Sequence, residues 1–189
     1  DQQDVAGGGE KRIDLPAVYN HYRRVTAVAG YDAAHEGEYA VLQPLFATAW
    51  LIDALFAEAR DFGARSVLLS SASSKTAYAT AFCMARRAQT GLERARIVGL
   101  TSPQRMAFAR GLGVYDELLA YDAIDRLGTD GPLAYIDFAG DAALRRAVHE
   151  RFAGRLTYSC SVGGTHHEAL GSARGLPGPK PELFFAPAQ

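Results

Sequence analysis

The sequence lacks several features that would place it at once in a well-defined class. Cys83 and Cys160 stand far apart and form no Cys-x-x-Cys pair, so they indicate neither a disulfide framework nor a zinc site. The net charge of -1 gives no general attraction to nucleic acid or to an anionic membrane. No secretory signal or transmembrane run is recognisable, since the most apolar segment, about 44–59, carries Asp53 and Glu58. These absences predict a cytoplasmic protein with no metal, no nucleic-acid partner and no membrane partner.

Three common catalytic motifs are also missing. There is no Gly-x-Ser-x-Gly elbow of a serine hydrolase and no Tyr-x-x-x-Lys pair of a short-chain reductase. Residues 73–76, Ser-Ser-Lys-Thr, imitate the end of a phosphate-binding P-loop. However, Leu69 and Ser74 stand where that motif requires glycine. The motif therefore does not indicate a nucleoside-triphosphatase.

The stretch over residues 66–82 organises the rest of the chain. An apolar run, 67–69, is followed by a cluster of small residues, 70–74, and then by a small-residue helix from about Lys75 to Ala88. Strand, small turn and helix form the start of a dinucleotide-binding domain, in which the helix N-terminus binds a pyrophosphate. The usual glycines are absent, so a capped turn that binds no ligand is the alternative interpretation.

The remaining pattern predicts an α/β fold. Apolar runs alternate with helical periodicity, which indicates a Rossmann-type, doubly wound, mostly parallel sheet with helices on both faces. We expect a long helix over 39–62 with Pro44 in its first turn, and strict alternation along the fifth sheet strand, so that Leu156 and Tyr158 share one face. The predicted sheet strands are Val67–Ser70, Ala95–Leu100, Glu117–Tyr121, Leu133–Phe138, Arg155–Val162 and Glu182–Phe185. The helices predicted after the first, second and fourth of them are Lys75–Ala88, Gln104–Arg110, and one capped by Asp141 with Leu144, Ala147, Val148 and Phe152 as its apolar stripe.

Ligands of such sheets bind beyond the carboxyl ends of the strands. At the end of the second strand, an NAD site would offer an acid to the ribose 2′-hydroxyl, but the sequence there is Leu-Thr-Ser-Pro-Gln-Arg. Ser102 and Arg105 are donors, and arginine suits a phosphate. The sequence therefore favours the 2′-phosphate of NADP(H), the alternatives being a plain helix cap at Ser102 and a solvated charge at Arg105.

Several motifs together resemble a known family. The segments 46–50, 71–77, 101–113, 137–140 and 161–163 are similar to the cofactor domain of zinc-independent, quinone-oxidoreductase-like medium-chain dehydrogenase/reductases. More narrowly, Ser-Ser-Ala-Ser-Ser-Lys-Thr-Ala, Gly-Leu-Thr-Ser-Pro, Tyr-Asp-Ala-Ile and Thr-His-His resemble a mainly bacterial branch described as a domain of unknown function. The resemblance implies a Rossmann fold and an NADP(H) cofactor.

The pattern and the resemblance together define two sets of candidate residues. The cofactor-binding candidates are Ser71, Ala72, Ser73, Ser74, Lys75, Thr76, Thr101, Ser102, Arg105, Tyr121, Asp137, Ser161 and Gly163. The candidate proton donors are Tyr19, Tyr22, Thr48 and His166. A polar loop or a surface connector remains the other interpretation for the histidine and for the N-terminal tyrosines.

The organisation of the chain leaves two functions open. We expect 1–40 to be an N-terminal connector, or the remnant of a catalytic domain, and 41–189 to be the dinucleotide-binding domain. One hypothesis is an NADPH-dependent oxidoreductase, or its cofactor domain, acting on a small-molecule enone, quinone or carbonyl. The other is a Rossmann-like scaffold that has lost the nucleotide. An edge strand carrying Phe184 and Phe185 indicates a homodimer, unless those rings pack inward.

Overall fold

The computed structural model describes residues 4–6, 21–25, 28–128, 131–162, 175–184 and 186. The chain forms two compact units, Asp1–Gln43 and Pro44–Gln189. In the first unit, β1 (Asp4–Ala6) pairs antiparallel with β2 (His21–Arg23). A 3-10 turn, Ala33–His35, follows, and Asp32 caps it by accepting a hydrogen bond from the amide of residue 34.

The second unit contains a six-stranded sheet in which every strand pair is parallel. The spatial order is β5-β4-β3-β6-β7-β8. Numbered within the sheet, this is the order 3-2-1-4-5-6 of dinucleotide-binding folds. The predicted α/β fold is confirmed, with strand ends that differ by at most one residue. The strands are β3 (Ser66–Leu69), β4 (Arg96–Thr101), β5 (Glu117–Ala120), β6 (Leu133–Asp137), β7 (Leu156–Val162) and β8 (Glu182–Phe184).

Helical elements cover both faces of the sheet. On one face, Ile52 and Phe56 of α1 and Met84 of α2 pack in one core with alternate sheet residues. On the other, Val148 and Phe152 of α4 pack in a second core. The helices are α1 (Glu36–Glu58), α2 (Lys75–Arg87), α3 (Met106–Gly111) and α4 (Ala142–Phe152), with 3-10 turns at Pro103–Arg105 and Tyr121–Arg126.

The predicted strict alternation along β7 is wrong at its start. Leu133 of β6 pairs with Leu156, but the next residue of β6 pairs with Tyr158, so Thr157 is an extra residue in a β-bulge. Leu156 consequently packs in the core under α4, whereas Tyr158 packs in the core under α1 and α2. Beyond the bulge, Cys160 continues on the same face as Tyr158.

Helix α1 differs from its prediction at both ends. Pro44 lies inside the helix instead of in its first turn, because the helix already begins at Glu36. The helix ends at Glu58, and a left-handed turn follows in which Asp61 has φ +51° and Phe62 has φ +55°. That turn lays the ring of Phe62 flat on Tyr158, with centroids 3.7 Å apart.

By length and composition alone, the helical segment Ala33–Glu58 is apolar enough to cross a membrane, with a mean hydropathy of 1.6. The expectation that no such segment exists is therefore wrong on this criterion. Core helices of soluble proteins satisfy the same criterion. Only 17% of the apolar window is buried, and the buried part includes Ile52 and Phe56, which pack against the sheet. Asp53 forms an ion pair with Arg87 of α2 at 2.7 Å.

Helix α4 buries polar residues that the apolar stripe did not predict. Asp141 caps the helix as expected, accepting hydrogen bonds from the amides of residues 143 and 144. Ala147 of the predicted stripe is exposed. Arg145 and His149 are instead buried, at 2% and 0% exposure. They lie on the sheet-facing side because both have polar partners there.

Candidate functional site

The loop after β3 has the small-residue turn that the sequence predicted. Ser71 adopts a left-handed conformation with φ +53°, which is unusual for a residue other than glycine. Its carbonyl accepts a hydrogen bond from the Ser74 amide at 2.7 Å. The Ser74 hydroxyl then caps α2 by accepting from the Ala77 amide at 3.4 Å. The turn thus connects the strand to the helix without the glycines that dinucleotide-binding folds usually have at this position.

Two tyrosines hold this loop from the side of β5. The Tyr115 hydroxyl donates to the Ala72 carbonyl at 2.8 Å, and the Tyr121 hydroxyl accepts from the Ser71 amide at 3.2 Å. Burial raises the pKa of both phenols, so both stay protonated at neutral pH. Gly99 of β4 makes room for Tyr115 and for the loop, since a Cβ there would lie 2.9 Å from the Tyr115 ring and 2.8 Å from Ala72.

A buried carboxylate joins β3 to β6, where the strand order reverses. Oδ1 of Asp137 accepts from the Ser70 hydroxyl at 2.9 Å and from the amides of Ala139 and Gly140, both at 3.1 Å. Oδ2 accepts from Nε and Nη2 of Arg145 at 2.9 and 2.8 Å. Asp137 is 1% exposed, so it organises the crevice from below rather than facing it. Its charge is compensated by the guanidinium.

The end of β4 offers donors and no acid. Thr101 is buried and donates from its hydroxyl to that of Ser73 at 3.3 Å, which ties β4 to the loop after β3. Ser102 directly precedes the Pro103–Arg105 turn as its N-cap residue, but its side chain makes no capping hydrogen bond. Arg105 is exposed, and within the described part of the chain no acidic residue forms an ion pair with it. Both side chains are thus available to an anion.

The remaining predicted residues differ in their placement. Lys75 is exposed at the start of α2, and Thr76 is half-buried beside it. Ser161 is buried on β7, in register with Asp137. The Thr48 hydroxyl donates to the Pro44 carbonyl within its own helix at 2.9 Å.

The side chains of several candidate residues are not described by the structure. Tyr22 lies on β2, where the backbone alone is described. Tyr19, Gly163 and His166 lie outside the described residues. Phe184 is 4% exposed and packs in the core, so its ring points inward; Phe185 also lies outside the described residues.

Sequence reasoning missed the polar network that supports the crevice. Beside Arg145, His149 is buried between Ser159 of β7, at 2.9 Å, and the Pro177 carbonyl, at 3.0 Å. Burial lowers the pKa of His149, which favours the neutral ring. The available signal was the spacing of Arg145 and His149 by four residues, which places both on one helix face with Val148.

A second polar cluster lies at the opposite, amino-terminal end of the strands. Arg87 forms ion pairs with Asp53 and Asp61 at 2.7 and 2.8 Å, and Asp61 also accepts from the Ala95 amide. A cleft of about 620 Å³ borders this cluster. Arg87 holds the two carboxylates together, and Asp61 reaches the residue before β4, which makes the cluster a structural link between α1, α2 and the start of β4. Within the described residues, no group of three or more His, Cys, Asp or Glu could hold a metal ion.

A family model with the description "Protein of unknown function (DUF2855)" matches residues 2–189. The chain belongs to the DUF2855 family. No curated protein matches the DUF2855 chain. Among solved structures it is similar to a quinone oxidoreductase from Coxiella burnetii, with 17% identity and a TM-score of 0.45 over 74% of this chain. The DUF2855 chain spans 41% of the length of that protein. An identity and a TM-score this low do not indicate a shared activity.

Proposed function

We propose that the DUF2855 chain is an NADPH-dependent, zinc-independent oxidoreductase, or the cofactor domain of one, that reduces an enone, a quinone or a carbonyl compound. The proposal rests on the residues that follow β4, the second strand of a sheet with the order 3-2-1-4-5-6. An NAD site there needs an acid, whereas Ser102 and Arg105 are uncommitted donors. Such donors suit a 2′-phosphate.

The donor chemistry of the crevice fits the other parts of the cofactor. The α2 N-terminus, with Ser73, Lys75 and Thr76, would hold the pyrophosphate, because helix N-termini and ammonium groups favour anions. Tyr121 would border the adenosine side, and Ser161 the nicotinamide side. When bound, NADPH supplies the hydride. The remaining proposed cofactor-binding residues are Ser71, Ala72, Ser74, Thr101, Asp137 and Gly163.

The chain itself would position the two reactants and supply a proton. Asp137 acts through Ser70, whose hydroxyl also accepts from the amides of Phe138 and Ala139 at 2.9 and 3.0 Å. This fixes the loops on both sides of the crevice before a ligand arrives, which lowers the cost of binding. Tyr19, Tyr22, Thr48 and His166 remain the proposed donors. A cytoplasmic location remains a prediction of the sequence. A homodimer also remains one, but the inward packing of Phe184 removes one of the two rings on which it rested.

A scaffold that no longer binds a nucleotide is the second candidate. It is favoured by the loop after β3, in which two amides already have partners within the protein. The Ser71 amide donates to Tyr121, and the Ala72 amide donates to the Leu100 carbonyl at 2.8 Å. A pyrophosphate therefore meets fewer free donors than in a glycine-rich loop.

Titration of the purified protein with NADPH and NADH at matched salt tests the proposal. Arg105→Ala should weaken NADPH binding about 10- to 100-fold, since a hydrogen bond to a charged group contributes about 1.5–3 kcal/mol. It should leave NADH binding unchanged. Arg110→Ala is the matched control, because Arg110 is an exposed arginine of the neighbouring helix. A well-folded protein that binds neither nucleotide would support the scaffold instead.

A further inference from the structure

The side chain of Tyr121 contacts the candidate site through its hydroxyl. Tyr121 directly follows β5, and Ser71, whose amide donates to the Tyr121 hydroxyl at 3.2 Å, lies just beyond β3. In the sheet, β4 lies between these two strands. The loop itself lies against the carboxyl end of β4, because the Ala72 amide donates to the Leu100 carbonyl at 2.8 Å and the Thr101 hydroxyl donates to that of Ser73 at 3.3 Å. The Tyr121 hydroxyl therefore meets the loop beside the end of β4, the strand that Ser102 and Arg105 follow.

The Ser71 amide differs from the neighbouring amides in the kind of group that accepts its hydrogen bond. The amides of Ala72 and Ser74 donate to backbone carbonyls, those of Leu100 and Ser71, which are fixed parts of the fold. The Ser71 amide donates to a half-buried side chain, which can leave by a rotamer change. Of these three amides, that of Ser71 can therefore be transferred to a ligand without breaking the loop.

We propose that Tyr121 is a built-in competitor of the cofactor: its hydroxyl accepts the hydrogen bond of the Ser71 amide and must yield that amide to the pyrophosphate. This inference rests on the proposed function and adds to it the control of nucleotide affinity. Because the Ser71 amide already has a partner within the protein, the pyrophosphate can take that amide only in the fraction of molecules in which the Tyr121 hydroxyl has moved away. The phenol thereby substitutes for a ligand oxygen and protects a polar group that would otherwise be left unsatisfied.

The test compares Tyr121→Phe with the unaltered protein, because phenylalanine keeps the ring and removes only the oxygen. Tyr115→Phe is the matched control, since it removes a phenolic hydroxyl bound to a carbonyl of the same loop and frees no amide. Two probes are titrated: NADPH, which carries a pyrophosphate and a 2′-phosphate, and adenosine 2′-monophosphate, which carries no pyrophosphate. Circular dichroism and the thermal midpoint verify that each variant is folded.

We expect Tyr121→Phe to bind NADPH about 3- to 10-fold more tightly, the range that one competing neutral hydrogen bond supplies. Binding of adenosine 2′-monophosphate should not change, and Tyr115→Phe should not tighten NADPH binding. Equal or weaker NADPH binding by Tyr121→Phe, or equal tightening of both probes, would overturn the inference and leave the proposed function standing. Failure of every protein to bind either probe would overturn both. Binding of NADPH by Tyr121→Phe alone would support the inference.

Discussion

Replacing Asp137 by asparagine tests the account of the buried network beneath the crevice. The new amide oxygen can still accept from Ser70 and from the amides of Ala139 and Gly140, which now lie 2.9 to 3.1 Å from Oδ1. The amide nitrogen, however, takes the place of Oδ2 opposite the Arg145 guanidinium. The substitution therefore sets donor against donor at one point and leaves the remaining geometry intact.

The expected loss is large because both partners are buried, Asp137 at 1% and Arg145 at 2% exposure. Breaking a buried pair by removing one partner costs about 3–5 kcal/mol. A domain of this kind has a total stability of about 5–15 kcal/mol. Urea unfolding at neutral pH, followed by circular dichroism, should show a midpoint about 2 M lower, given a slope of about 2 kcal/mol per M.

A double variant separates the pair from other effects of the substitution. Arg145→Met removes the cation, so adding it to Asp137→Asn should cost less than the sum of the two single changes. A loss below about 1 kcal/mol for Asp137→Asn, or simple additivity of the two changes, would refute the reasoning that the charge pair holds β6 and α4 together.

Two further predictions concern packing and pH. Gly99→Ala should destabilise the protein by about 1–3 kcal/mol in the same unfolding assay, because its Cβ would lie 2.8 Å from Ala72. Gly111→Ala is the control, with no atom within 4 Å of the added Cβ, and equal effects would contradict the packing argument. Burial lowers the pKa of His149, so below about pH 6.5 the unfolded chain binds more protons and stability should fall as the pH falls. The His149→Gln variant should lose part of this dependence, and an unchanged pH profile would show that His149 does not titrate as inferred.

Much of the fold could be predicted from the sequence because its signals are local. Strands buried on both faces appear as short apolar runs, and the turn after β3 is marked by small residues beside a capping serine, Ser74. Asp141 was recognisable as a cap for the same reason. The absence of an acid at the end of β4 is also a property of a few adjacent residues. These features depend on backbone geometry over one or two turns, which neighbouring side chains determine.

The bulge at Thr157 and the buried polar pairs could not be predicted, because they depend on partners distant in the chain. The periodicity of β7 gives no sign that Leu156 and Tyr158 belong to opposite cores; the pairing with β6 decides that. Likewise, Arg145 is a surface charge by composition and becomes a core residue only through Asp137.

The candidate site likewise has features that the sequence predicts and features that only the tertiary structure determines. The sequence alone determined which residues follow each strand, and hence which chemical groups gather at the carboxyl edge of a parallel sheet. Only the tertiary structure decided which of these groups are free and which are already bound. Tyr121 and Ser71 are 50 residues apart, and they meet because the parallel sheet brings the ends of β3 and β5 to the same edge, where the loop after β3 lies against the end of β4. Hydrogen-bond satisfaction is a property of packed neighbours, and the order of residues along the chain does not contain it.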